Sequence, residues 1–124
     1  MSAATALPAV GVIGAGAMGM GVVASLLRAG FDTRVRDIKP DVEVEAAARG
    51  ATCEPSPAAL VRACGVAIVL VVDADEVETV LFGADGAAPA LAGGRVVLLA
   101  STVDPDYVTA LAPRVAARGC DRAA

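Results

Sequence analysis

Short apolar runs alternate along this chain with longer stretches whose apolar positions recur three and four residues apart. The first run, AVGVI (Ala9 to Ile13), is continuous and β-favouring, and predicts a strand. AMGMGVVASLLRAG follows at helical spacing and closes on Gly30, where a glycine can end a helix in the left-handed conformation. TRVRD (Thr33 to Asp37) predicts a second strand, and PDVEVEAAARG (Pro40 to Gly50) a helix with proline near its start and glycine past its end. The same grammar recurs in a short ATC, a helix SPAALVRACG capped by Ser56, the strand VAIVLVV (Val66 to Val72) and the acidic helix opening DADEVETVLFG. GRVVLLA (Gly94 to Ala100) and DPDYVTALAPRVAARG (Asp104 to Gly119) predict a further strand and helix. Strands alternating with helices imply an α/β fold: a doubly wound, mainly parallel sheet with right-handed crossovers.

Composition supports that architecture. Hydrophobic residues make up 56% of the 124 residues but aromatic ones only 2%, so the core is built from Val, Leu, Ile and Ala, as in parallel sheets covered by helices. The length suits one domain. Residues 1–8 read as a flexible tail of small residues and 9–124 as the domain. A net charge of -4 offers no basic surface for nucleic acid or acidic lipid. VAIVLVV is far shorter than the roughly 20 residues of a membrane helix, and the start lacks a secretory pattern, so a cytoplasmic chain with no membrane partner is expected. Cys53, Cys64 and Cys120 fit neither a disulfide framework nor a zinc spacing and read as small apolar residues; no metal site is expected.

The candidate chemistry lies between the first strand and the first helix. Gly14-Ala15-Gly16-Ala17-Met18-Gly19 matches G-x-G-x-x-G in the strand–turn–helix setting that gives this pattern its meaning. The first glycine permits a tight turn, the second lets a pyrophosphate approach the backbone, and the third lets helix and strand pack closely. The helix N-terminus then faces the phosphates with free N–H groups and a partial positive charge. Asp37, at the end of the second strand, stands where a carboxylate can hydrogen-bond an adenosine ribose. A carboxylate there favours NAD over NADP, although Arg34, Arg36 and Lys39 nearby could hold a 2′-phosphate. A bare turn and a solvated strand end would explain the same residues singly, but motif, flanking elements and acid agree on a dinucleotide.

GVIGAGAMGMGVVASLLRAGFDTRVRD, with VLFGADG (Val80 to Gly86) and ASTVDP (Ala100 to Pro105), resembles the β-hydroxyacid dehydrogenase family, relatives of 3-hydroxyisobutyrate and 6-phosphogluconate dehydrogenases. The three motifs come in the family's order, and the resemblance runs from Val10 to Gly119. MGMG, LVVDADEVETVLFG and AST together look most like its L-threonate dehydrogenase branch. The resemblance implies a Rossmann domain that binds NAD, or NADP, and a small hydroxyacid as substrate of the full-length enzyme. It implies that Thr102 sits near the nicotinamide and that Ser101 meets the substrate carboxylate. It also implies that Val71 and Val72 line the cofactor groove, where members often have Leu-Pro. From the residues alone, Ser101 and Thr102 could equally cap the last helix.

A hydride transfer at a hydroxyl needs a group to take or give the hydroxyl proton. The resemblance implies a lysine on a helix of a second, helical domain beyond this chain, so no catalytic residue is expected here. Lys39 is the one lysine and follows Asp37 at the adenosine end; there is no histidine, and Tyr107 on the last helix reads as a packing residue. The family's next strand, a D-A-P-V-S-G-G segment, is not supplied by GCDRAA, so the fold is expected to stop short of it. Two other readings stay open: a stand-alone dinucleotide-binding module without catalysis, and the cofactor domain of an imine reductase relative, which shares the G-x-G-x-M-G opening.

Overall fold

The computed structural model of the chain describes residues 9–71, 73–91, 95–100, 104–116 and 122–123. Its elements follow in the order β1 (Val10–Ile13), α1 (Ala17–Arg28), β2 (Thr33–Arg36), α2 (Pro40–Ala48), β3 (Thr52–Cys53) and α3 (Pro57–Ala63). Then come β4 (Val66–Val69), α4 (Ala74–Phe82), a 3-10 turn (Ala88–Ala90), β5 (Val96–Leu99), α5 (Pro105–Ala116) and β6 (Arg122–Ala123). The strands form one sheet in the order β3-β2-β1-β4-β5-β6, and every pairing is parallel. This is the doubly wound α/β sheet that the alternating pattern predicts.

Local chemistry sets the element ends. Gly30 and Gly50 take φ of +89° and +109° just past α1 and α2, the role their places in the sequence suggest. Ser56 Oγ accepts from Ala59 N–H at 3.1 Å and Asp73 Oδ1 from Glu76 N–H at 3.0 Å, so α3 and α4 each begin on a side-chain cap. α1 has no such cap: its N-cap is Gly16, and its first turn carries no acidic residue.

Two expectations change. β4 ends at Val69, not Val72, because Leu70 and Val71 leave the ladder after Leu70 N–H bonds Ile13 O at 2.8 Å. The sheet also does not stop at β5: Arg122 and Ala123 pair with Val96 and Val97, so the chain supplies two residues of a sixth strand without the D-A-P-V-S-G-G sequence. Backbone pairing at an open edge requires no particular side chain, which is why the sequence pattern gives no warning of it.

Two apolar clusters sandwich the sheet. α1 and α2 pack Met20, Val23 and Ala46 against Val12 and Val35 on one face. On the other, α3, α4 and α5 pack Leu60, Val61, Val77, Leu81, Leu111 and Val115 against Ile13, Ala67, Val69 and Val97. Cys64 is buried in this second cluster, as a small apolar residue would be, and burial pushes its thiol up to about 11; Cys53 is only half-buried.

Candidate functional site

β1 and β4 are neighbours whose connections leave in opposite directions, the first toward β2 and the second toward β5. A crevice opens at the carboxyl end of such a pair. The turn from β1 into α1 forms one wall, with Gly14 at a φ of +90°. A Cβ on Gly14 would lie 2.9 Å from Leu70 O, and one on Gly19 would lie 2.3 Å from Gly14 O. Both positions are therefore closed to side chains by the chain's own backbone. Gly16 differs: a Cβ there would meet nothing within 4 Å. Its missing side chain relieves no internal clash and leaves the uncapped start of α1 open to the crevice.

Asp37 ties the far wall to this turn. Ala15 N–H donates to Asp37 Oδ2 at 2.8 Å and Lys39 N–H to Asp37 Oδ1 at 2.9 Å, while Gly14 N–H bonds Arg36 O at 3.0 Å. The carboxylate thus stands beside the glycine turn with both oxygens in use, and each retains a lone pair for a further donor. Ala15 is buried, whereas Met18 is 73% exposed on the outer side of the first helical turn.

A cleft of about 460 Å³ runs between these walls. Gly14, Gly16, Asp37 and Val71, four of the expected site residues, line it together with Arg36 and Lys39. Arg34 does not line it: its guanidinium is held by Asp32 at 3.1 Å and Glu54 at 2.8 Å, bonds that raise its already high pKa, so it is spoken for as a phosphate partner. Of the other expected site residues, Ala15, Ala17, Met18 and Gly19 belong to the turn and first helical turn but do not line this cleft, and Val72, Ser101 and Thr102 lie outside the described residues. The sequence reading missed Ile38, Pro57, Glu76, Thr79 and Val80, which also line the cleft. For Glu76, Thr79 and Val80 the topology was the available signal, since α4, the helix following β4, must start at the switch point. A second cavity of about 390 Å³, between α1 and α2, is lined by the expected residues Ala15, Gly16 and Ala17 together with Gly21, Val42 and the Glu45–Arg49 pair, so the glycine turn borders both cavities.

Neither candidate proton-transfer group is poised for the work. Tyr107 OH donates to Glu78, and burial together with that bond pushes it up to about 12. Arg114 grips the same carboxylate through two 2.7 Å bonds and holds Glu78 below the usual carboxylate range. The cluster clasps α4 to α5. Lys39 is exposed on the rim beside Asp37. No group of three or more His, Cys, Asp or Glu residues suited to a metal ion occurs among the described residues. None of the described helices is long and apolar enough to cross a membrane.

A parallel sheet with a glycine turn at its switch point, a helix N-terminus left open and an acid at the end of β2 defines a dinucleotide-binding domain of the doubly wound class. Residues 9–123 match the family described as the NAD binding domain of 6-phosphogluconate dehydrogenase, and the chain belongs to that family. It is 47% identical over 110 residues to an L-threonate dehydrogenase of Cupriavidus necator, covering 89% of this chain and 37% of that protein. Among solved structures, a 3-hydroxyisobutyrate dehydrogenase from Salmonella typhimurium superposes with a TM-score of 0.80 at 33% identity, over 90% of this chain and 39% of that one. The V8 variant of an imine reductase from Myxococcus stipitatus in complex with NAD+ shares the fold, with a TM-score of 0.85 at 23% identity, over 93% of this chain and 39% of that one. The chain therefore spans less than two fifths of the length of these relatives.

Proposed function

We propose that this chain is the cofactor-holding part of an oxidoreductase that moves a hydride between NAD and the CH–OH group of a small 3-hydroxyacid, of the L-threonate or 3-hydroxyisobutyrate type. One observation carries the reading. Of the three motif glycines, two are closed by backbone and the middle one opens onto the uncapped N-terminus of α1. A turn kept only for packing has no use for that opening, whereas a pyrophosphate approaching the backbone requires it.

The parts follow from this. The backbone of Gly14 to Gly19 would hold the pyrophosphate, with N–H groups and the helix dipole substituting for cations. Asp37 would accept from the adenosine ribose while staying anchored by Ala15 N–H. Val71 and Val72 would line the groove toward the nicotinamide, Thr102 would sit near its ring, and Ser101 would meet the substrate carboxylate, as the family resemblance implies. When bound, the nicotinamide supplies the hydride acceptor. The hydroxyl proton needs a separate group, and neither exposed Lys39 nor clasped Tyr107 fills that role.

A chimera tests the activity. Residues 9–116 of this chain, placed in the matched segment of the Cupriavidus necator protein, should reduce NAD with L-threonate, and Gly16→Val in the chimera should lower kcat/KM about 100-fold by displacing the cofactor. A folded chimera that binds NADH yet turns over no 3-hydroxyacid would remove the hydroxyacid reading.

A further inference from the structure

We propose that Glu43, on the first turn of α2 and outside the glycine motif, sets the preference between NAD and NADP by holding Arg36 back from the ribose end of the cleft. The inference rests on the cofactor reading above and adds a positioning residue to it.

A 2′-phosphate brings nearly two negative charges to the place where Asp37 already carries one, so NADP binding needs a cation there. Three basic side chains stand close by in sequence, and the structure separates them. Arg34 is occupied by Asp32 and Glu54. Lys39 sits on the exposed rim. Arg36 lines the cleft, and its planar fork suits a phosphate, but Glu43 Oε2 stands 3.9 Å from Arg36 Nη1.

Glu43 is well placed for this. The same oxygen accepts from Asp37 N–H at 3.5 Å, so one carboxylate touches both the cation and the backbone of the ribose-binding acid. The start of α2 is fixed from both sides: Glu43 N–H bonds Lys39 O at 3.3 Å, and Cys53 Sγ donates to Glu43 O at 3.3 Å. Both side chains are half-buried, with exposures of 26% for Arg36 and 24% for Glu43. At 3.9 Å through a single nitrogen–oxygen pair, the contact is a loose attraction and not a bidentate fork. A loose pair costs little stability to remove and releases a cation that can reorient.

Glu43→Gln is the direct test, because it keeps the side-chain length and an acceptor for Asp37 N–H while removing the charge. Titrating NADH and NADPH by fluorescence, the NADPH-to-NADH ratio of dissociation constants should fall about fivefold, while NADH affinity changes by less than about twofold. Glu43→Asp should retain the wild-type ratio. Adding Arg36→Gln to Glu43→Gln should cancel the gain, since the released cation is then gone. A ratio unmoved in Glu43→Gln, or equal weakening of both cofactors, would overturn the inference, and so would a gain that survives loss of Arg36. A wild-type chain that binds neither cofactor would instead remove the cofactor reading and this inference with it.

Discussion

A side chain at Gly19 would begin 2.3 Å from Gly14 O, whereas one at Gly16 would begin in open space. The same chemical change should thus have different consequences at two positions three residues apart. Gly19→Ala must push α1 off β1 and should cost about 1–3 kcal/mol of folding stability, seen as a lowered thermal midpoint with or without cofactor. The motif was legible in the sequence because glycine spacing is local, and so was the place of Asp37. What the sequence hid is how tightly Asp37 is built in. Its bond to Ala15 N–H joins residues that only the β1–β2 pairing brings together. The separation of Arg34 from Arg36 was hidden for the same reason. The two share one face of β2, and what tells them apart is a carboxylate from elsewhere in the chain: Glu54 for one and Glu43 for the other.

Helix starts and stops were the most readable elements, since Ser56, Gly30 and Gly50 act within one turn of themselves. Strand ends were less so. VAIVLVV is apolar throughout, so nothing in it marks Val69 as the last paired residue. The α4–α5 clasp was also unreadable, because Glu78, Tyr107 and Arg114 meet only after the β5 crossover folds back. That clasp has a pH signature. Arg114, and secondarily Tyr107, hold Glu78 below its ordinary 4.5, so the folded state gains stability from ionised Glu78 above that value and loses it as pH falls through the lower folded value. The thermal midpoint of wild type should exceed that of Glu78→Gln at neutral pH, and the gap should close on acidification below about 4. A gap independent of pH would place the clasp's contribution in packing alone.

Across the whole sheet, Val35, Val12, Ile68 and Leu98 share one row on the face that α1 and α2 cover. Val35 and Val12 are fully buried, Ile68 is half-buried and Leu98 is 43% exposed. Cover on this face thus fades from β1 toward β5, while the opposite face is closed by three helices. Parallel sheets are stable with both faces covered, so the more fully packed face, around Leu60, Val77 and Leu91, carries most of the burial. The cleft stands at the junction of the well-covered half and the open one, where β1 meets β4. The central claim is that the opening at Gly16 exists to admit a dinucleotide. It is tested most directly by titrating NADH into wild type and Gly16→Val, with Gly21→Ala as a control at a second glycine whose Cβ would also meet nothing. The account predicts that neither variant lowers the thermal midpoint by more than about 2 °C, and that wild type and Gly21→Ala bind alike while Gly16→Val loses at least about tenfold in affinity. Equal binding by Gly16→Val would contradict it.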